Sequence, residues 1–194
     1  MSSNILLCGV GGQGTVLASK LIAAAAVEKN YEVMSAETIG MAQKGGSVFS
    51  FLRIGSSLYS PMFGKGSADI IIAFEPAEAV RMAEYLKDGG TVIVNTRPIM
   101  PVTASLGGFD YKAEKMLDYL EKTAAQLTRI DCKKACDALG SPRVTNTVLL
   151  GAAVQSGALP FTMAEIESVM LKAVKPQFRE LNTRALHYCE YAGQ

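Results

Sequence analysis

The apolar positions of this chain fall into strand-length runs and helical spacings that alternate along most of its length. Residues 4–9 hold a continuous apolar run, Ile5-Leu6-Leu7-Cys8, that ends on glycine; this predicts a short buried first strand. Over 13–29, Leu17, Leu21 and Ala24/Ala25 recur at helical spacing in an alanine-rich segment, which predicts a helix. A second strand over 31–36 completes a β-α-β unit of about 30 residues. Residues 37–46 form a polar, irregular loop with three glycines. Residues 47–54 then mix Val48, Phe49, Phe51, Leu52 and Ile54 with polar side chains. The link Gly55-Ser56-Ser57 is short enough for 58–63 to return beside that strand as an antiparallel hairpin, so a mixed, mostly parallel sheet is expected. Residues 68–74 are the most apolar run and the expected central strand.

Glu75-Pro76 opens a helix expected to reach about Leu86: proline suits a first helical turn and acidic side chains favour that end. Asp88-Gly89-Gly90 stops it, and 91–95 reads as a strand. Residues 96–108 carry two prolines and two glycines and read as a loop. A helix over 112–126, a strand over 127–131 and a short helix over 133–139 follow. From about 144 the texture becomes wholly helical, with segments over 144–156, 163–174 and 176–191, and Thr162 with Glu165 fits a capping box. The economical picture is a single three-layer α/β domain over 1–194 ending in a helical segment.

Composition narrows the function classes. Hydrophobic residues make up 49% and charged residues 19% of the 194, enough apolar surface for a full core. The formal net charge of +1 offers no field for nucleic acid or an anionic membrane, and neither partner is expected. The run 70–74 is far below the roughly 20 residues of a membrane helix. The N-terminal residues lack the pattern of a secretory signal, so a cytoplasmic location is expected. Of four cysteines, Cys132 and Cys136 form a C-x3-C pair and Cys8 and Cys189 stand apart; buried, reduced thiols are the expected state. The single histidine, His187, cannot complete a zinc site or a relay, and no Gly-x-Ser-x-Gly elbow occurs. No catalytic residue is assigned.

Two glycine loops could carry binding. Gly9-Val10-Gly11-Gly12-Gln13-Gly14 lies between a strand and a helix and satisfies G-x-G-x-x-G. Glycines allow close backbone approach, and a helix start offers unpaired N–H groups to a phosphate or carboxylate. Glu37, near the end of the second strand, stands roughly where a dinucleotide fold places its ribose-binding acid, which would suggest NAD. The same glycines would also serve tight strand–helix packing alone. The second loop, Glu37 to Ser47, carries Gln43, Lys44, Gly45 and Gly46: an amide, a cation and bare backbone N–H groups. Loops at the carboxyl ends of strands share one crevice, so the two are expected to face one ligand or partner. Lys44, Arg53, Lys65, Arg97 and Arg143 lie near predicted strand ends or loops, and each could meet a phosphate or a carboxylate or stay a solvated surface charge.

Gly11-Gly12-Gln13-Gly14, Met41-Ala42-Gln43-Lys44-Gly45-Gly46-Ser47-Val48 and Arg53-Ile54-Gly55 together resemble the γ subunit or γ domain of 2-oxoacid:ferredoxin oxidoreductases. The short free-standing form is most similar to the β subunit of indolepyruvate oxidoreductase. The resemblance covers nearly the whole chain and includes Asn146 and Asn182. It implies a Rossmann-like three-layer fold and a complex that decarboxylates a 2-oxoacid oxidatively to an acyl-CoA. Thiamine diphosphate, magnesium and iron–sulfur clusters are then expected on a larger partner subunit, with ferredoxin reached through the complex and coenzyme A as co-substrate. Gly9, Gly11, Gly12, Gln13, Gly14, Gln43, Lys44, Gly45 and Gly46 are expected to shape the crevice that receives them. The residues agree with that division. A ferredoxin-type cluster needs four closely spaced cysteines, and Gly-Asp-Gly, the usual magnesium–thiamine motif, is absent. Two rivals stand beside it: a self-contained NAD(P)-binding oxidoreductase, and a purely structural module.

Overall fold

The structure, a computed structural model, describes residues 2–38, 45–100 and 111–189. Six strands form one mixed sheet in the order β2-β3-β1-β4-β5-β6. They are β1 (Ser3–Val10), β2 (Glu32–Glu37), β3 (Ser47–Gly55), β4 (Ala68–Ala73), β5 (Leu86–Asn95) and β6 (Gln126–Ile130). Strands β1, β4, β5 and β6 run parallel, and β3 is antiparallel to both β1 and β2. The helices are α1 (Thr15–Glu28), α2 (Pro76–Met82), α3 (Ala113–Thr123), α4 (Cys132–Leu139), α5 (Thr145–Gln155), α6 (Met163–Ala173) and α7 (Arg179–Leu186).

The core lies on both faces of the sheet because strand side chains alternate. Ile5, Leu7, Ile70, Ile72 and Ile93 pack with α1 and with α4 to α7. Leu6, Cys8, Ile71, Val92 and Val94 pack with α2 and α3 on the other face. The chain thus leaves β1 toward one face and β4 toward the opposite face. That reversal between neighbouring parallel strands opens a crevice at their carboxyl ends, the usual ligand position in such sheets.

Three expectations need correction. The antiparallel partners of β3 are β1 and β2, not 58–63. Beyond Gly55 the chain leaves the sheet: Arg53 Nη1 donates to the Ser60 carbonyl at 3.1 Å, and Phe63 packs edge-on against Phe51 with centroids 4.8 Å apart. Burying Phe63 against the core is worth more than extending a pair that would carry Pro61. Second, the helix after Glu75 is shorter than 75–86. It tightens to a 3-10 turn at Ala83–Tyr85, and β5 begins at Leu86, with the register shifting so that Ala68 faces Leu86 and Ile70 faces Thr91. Third, β1 and β2 are not neighbours; β3 lies between them, and this bears on the site below.

Ser50, in the middle of β3, is fully buried and its hydroxyl has no hydrogen-bond partner among the described residues. A buried hydroxyl without a partner costs roughly 1 kcal/mol or more. Ser50→Ala is therefore expected to raise the unfolding free energy by about 1 kcal/mol in urea denaturation. A midpoint that falls would contradict the unpaired state.

Candidate functional site

The carboxyl ends of the parallel strands are held together by side-chain amides. Gln13 folds back over the first loop: its Oε1 accepts from the Val10 N–H at 2.7 Å, and its Nε2 donates to the Phe74 carbonyl at 2.8 Å. Asn95, at the end of β5 and buried, donates from Nδ2 to the same Phe74 carbonyl at 3.0 Å. Its Oδ1 accepts from the Arg97 and Cys132 N–H groups at 3.2 and 3.3 Å. Two amides thus join the ends of β1, β4 and β5 to the start of α4. Each bonds through both its donor and its acceptor, so the edge is pre-set rather than loose.

The glycine loop wraps this lattice. A Cβ on Gly9 would stand 2.7 Å from both Gln13 Oε1 and Phe74 Cβ, so Gly9 serves close packing. Gly14, before α1, has φ +89, a left-handed conformation that other residues rarely adopt; its bare Cα faces Asn146, 3.2 Å from where a Cβ would sit. The Gly11 N–H donates to the Gly46 carbonyl at 2.9 Å, which brings the described end of the second loop against the first. Gln43 and Lys44 lie outside the described residues.

Beside the loop lies a cavity of about 1100 Å³. Gly12, Gln13 and Gly14 form one wall, Asn95 and Arg97 to Ile99 a second, and residues of α4 together with Arg143, Thr145 and Asn146 a third. Gly9, Gly11, Gly45 and Gly46 are not part of the wall. Sequence reasoning did not single out Asn95 or the α4 wall. The one available signal was a polar residue closing an apolar strand.

Among the described residues, the cavity wall carries three cations, Arg97, Lys133 and Arg143, and one carboxylate, Asp137. Lys133 and Asp137 pair with each other at 2.6 Å, one helical turn apart. Arg97 and Arg143 are exposed and have no ion pair among the described residues. Asn146, near the start of α5, is 6% exposed, and its side-chain amide has no hydrogen-bond partner among the described residues. Cys132 also reaches the wall, but burial pushes its thiol well up, with neighbouring Cys136, Cys189 and Asp131 adding to the shift. It stays protonated at neutral pH and is a poor nucleophile or metal ligand.

The geometry contradicts the dinucleotide reading. Glu37 would have to reach the first loop from an adjacent second strand, but β3 lies between β1 and β2. Nor can the cysteines converge on a cluster. Cys8 is buried on the α2 face, and Cys132 and Cys136 are buried on the opposite face. Among the described residues no three His, Cys, Asp or Glu side chains gather as a metal site would need, and no helix is long and apolar enough to cross a membrane.

Comparison with known proteins agrees with this arrangement. The family described as pyruvate ferredoxin/flavodoxin oxidoreductase matches residues 4–189. The chain is 36% identical over 184 residues to an indolepyruvate oxidoreductase subunit IorB of Pyrococcus horikoshii, spanning 94% of this chain and 91% of that protein. It is 31% identical over 180 residues to the common subunit gamma of the pyruvate/ketoisovalerate oxidoreductases of Thermococcus kodakarensis, with 88% and 83% covered. Its fold superposes with a TM-score of 0.70, at 18% identity, on a 2-oxoglutarate:ferredoxin oxidoreductase of Magnetococcus marinus, covering 98% of this chain and 30% of that one. The mixed six-stranded sheet, the braced glycine loop and a match along almost the full length agree: the chain belongs to the pyruvate ferredoxin/flavodoxin oxidoreductase family.

Proposed function

We propose that this chain is the non-cluster subunit of a thiamine-dependent, indolepyruvate-type 2-oxoacid:ferredoxin oxidoreductase, and that its carboxyl-edge crevice helps to receive coenzyme A. The observation that carries the reading is the similarity to IorB subunits along nearly the whole of both chains. The residues support the division of labour. Cysteines buried on opposite faces of the sheet do not fit an iron–sulfur cluster, and among the described residues no carboxylate set fits a magnesium-held diphosphate, so electron transfer and decarboxylation fall to a larger partner. This chain would contribute a fixed wall. The amides of Gln13 and Asn95 hold the strand ends, and Gly12, with open space where a Cβ would sit, leaves the backbone open to a ligand beside it. The Magnetococcus relative binds 2-oxoglutarate, coenzyme A and succinyl-CoA, which makes an acyl-CoA crevice a natural use of the shared fold.

Tagged and expressed with its neighbouring genes, the chain is expected to copurify with a partner that carries thiamine diphosphate and iron–sulfur absorbance. The pair should reduce ferredoxin with indolepyruvate and coenzyme A, and neither chain should do so alone. Full turnover by the solitary chain, or a stable chain that captures no such partner, would overturn the reading.

A further inference from the structure

We propose that the outer edge of β2 is a docking site for the larger partner chain, which adds a strand to the sheet there; that the occupant is this partner rests on the functional reading above. Thr38 fixes which way the backbone of β2 faces. Its N–H donates to the Phe49 carbonyl at 3.0 Å, on the β3 side. Backbone groups alternate along an antiparallel strand, so Met34 and Ala36 also turn theirs to β3, whereas Val33, Ser35 and Glu37 point their N–H and C=O groups outward. β2 is an edge strand, and these outward groups have no hydrogen-bond partner among the described residues. Such a row is a template for another strand unless it is guarded. The other edge strand, β6, carries the cation Arg129, tied to Glu121 of α3; β2 has no lysine, arginine, proline or bulge.

The face beside this edge is also incomplete. Directly paired residues share a face, so Met34 lies beside Arg53 and Ala36 beside Phe51, on the side of the sheet that carries α2. There α2 packs on β1, β4 and β5, and α3 on β6, but among the described residues neither packs to that extent on β2 or β3. The segment beyond Gly55 crosses instead: the Leu58 N–H donates to Glu32 at 3.1 Å, and Phe63 covers Phe51. It leaves Met34, Ala36 and Phe49 half-buried and Tyr59 and Met62 91% and 56% exposed. Aromatic side chains and methionine are enriched at the centre of protein contacts, and methionine adapts to its neighbour. Charge selects the occupant. β2 begins and ends in a carboxylate, Glu32 and Glu37. A second copy paired strand to strand would gather four carboxylates along one seam with no cation from either strand. A partner strand that is apolar in its middle and basic at its ends would pair them and cover Met34 and Tyr59.

Hydrogen–deuterium exchange, read by mass spectrometry on the free chain and on the complex purified with its neighbouring-gene partner, tests the edge directly. Exchange across residues 32–37 is expected to slow at least tenfold in the complex. Ser35→Pro removes an N–H that points outward at an exposed position, a place where an edge strand tolerates proline. Tyr59→Asp puts a charge on the exposed patch. Each is expected to weaken assembly with the purified partner at least tenfold by biolayer interferometry. Circular dichroism reads whether Ser35→Pro keeps its fold; if it does not, Tyr59→Asp and the exchange measurement decide. A complex that forms with β2 exchanging as fast as in the free chain, or with both folded variants binding as the parent does, overturns the docking site and leaves the functional reading standing. Sedimentation of the isolated chain provides a further check: a dimer that Ser35→Pro dissolves would assign the edge to a second copy and overturn the occupant named here. A chain that captures no thiamine- and cluster-bearing partner sinks the functional reading, and this occupant with it.

Discussion

Gly151→Ala is expected to destabilise the protein by about 3 kcal/mol or more, although alanine is the better helix former. Gly151 lies in the middle of α5, where glycine costs roughly 1 kcal/mol relative to alanine. Local propensity therefore favours the substitution. Tertiary contact opposes it. A Cβ at this position would stand 1.9 Å from the Leu186 carbonyl oxygen and 2.8 Å from its carbonyl carbon. These are backbone atoms at the last residue of α7, so no side chain can rotate away, and the helix itself must move. Moving α7 disturbs Ala185 and Leu186, both fully buried, and the 2.8 Å hydrogen bond from Thr147 Oγ1 to Asn182 Oδ1. Overpacking of this kind outweighs the propensity gain. Urea denaturation of the variant reads the effect, with Ala152→Gly on the same helix as a propensity control. A variant as stable as the parent would mean that α5 and α7 do not meet as described.

What could be read along the chain was local. The apolar run 4–9 ending in glycine, the alanine-rich helix after it and the run 68–74 all carry their signal in consecutive residues, and all three elements stand in the sheet or against it. The capping box at Thr162 and Glu165 is present in both directions, because its two hydrogen bonds join residues three apart. The pairing of β3 was not legible. Its partners lie at Ser3–Val10 and Glu32–Glu37, and nothing near Gly55 states that the chain will leave the sheet instead of turning back. The same limit hid half of the site. The glycine loop announced itself by its motif, but the opposite wall comes from α4 and the start of α5, more than a hundred residues on, and only the crossover at β1 and β4 brings them together. Gln13 shows how a motif residue can be found for one reason and placed for another: its amide bonds within the chain at both ends.

Glu75→Ala is expected to cost about 3 kcal/mol, through stranded donors rather than lost charge. Glu75 is 1% exposed and lies before the first turn of α2. One carboxylate oxygen accepts from the Glu78 N–H at 3.0 Å, capping the helix. The other accepts from the Ile99 N–H at 3.2 Å and from the Tyr111 hydroxyl at 2.5 Å. Losing a cap costs about 1 kcal/mol, and the part-buried Ile99 N–H and Tyr111 hydroxyl, left without their acceptor, about 1 kcal/mol each. The carboxylate also fixes the segment after β5 that carries Arg97, so its removal should loosen the crevice wall as well. Tyr111 provides a separate readout. Partial burial first, and then its hydrogen bond to Glu75, push its phenol well above the ordinary value near 10. A folded-state pKa raised in this way means that the neutral phenol stabilises the fold below the unfolded value, and that this contribution is lost as pH rises through the folded value. Glu75→Gln keeps the shape but removes the charge, so Tyr111 should ionise at lower pH than in the parent, and the variant should lose less stability between neutral and alkaline pH. Carbon-13 shifts of labelled tyrosine measure the first effect, and denaturation across pH measures the second. An alanine variant within about 0.5 kcal/mol of the parent, the scatter of ordinary surface substitutions, or a Tyr111 titration unmoved in the glutamine variant, would show that this carboxylate does not hold the edge of the site together.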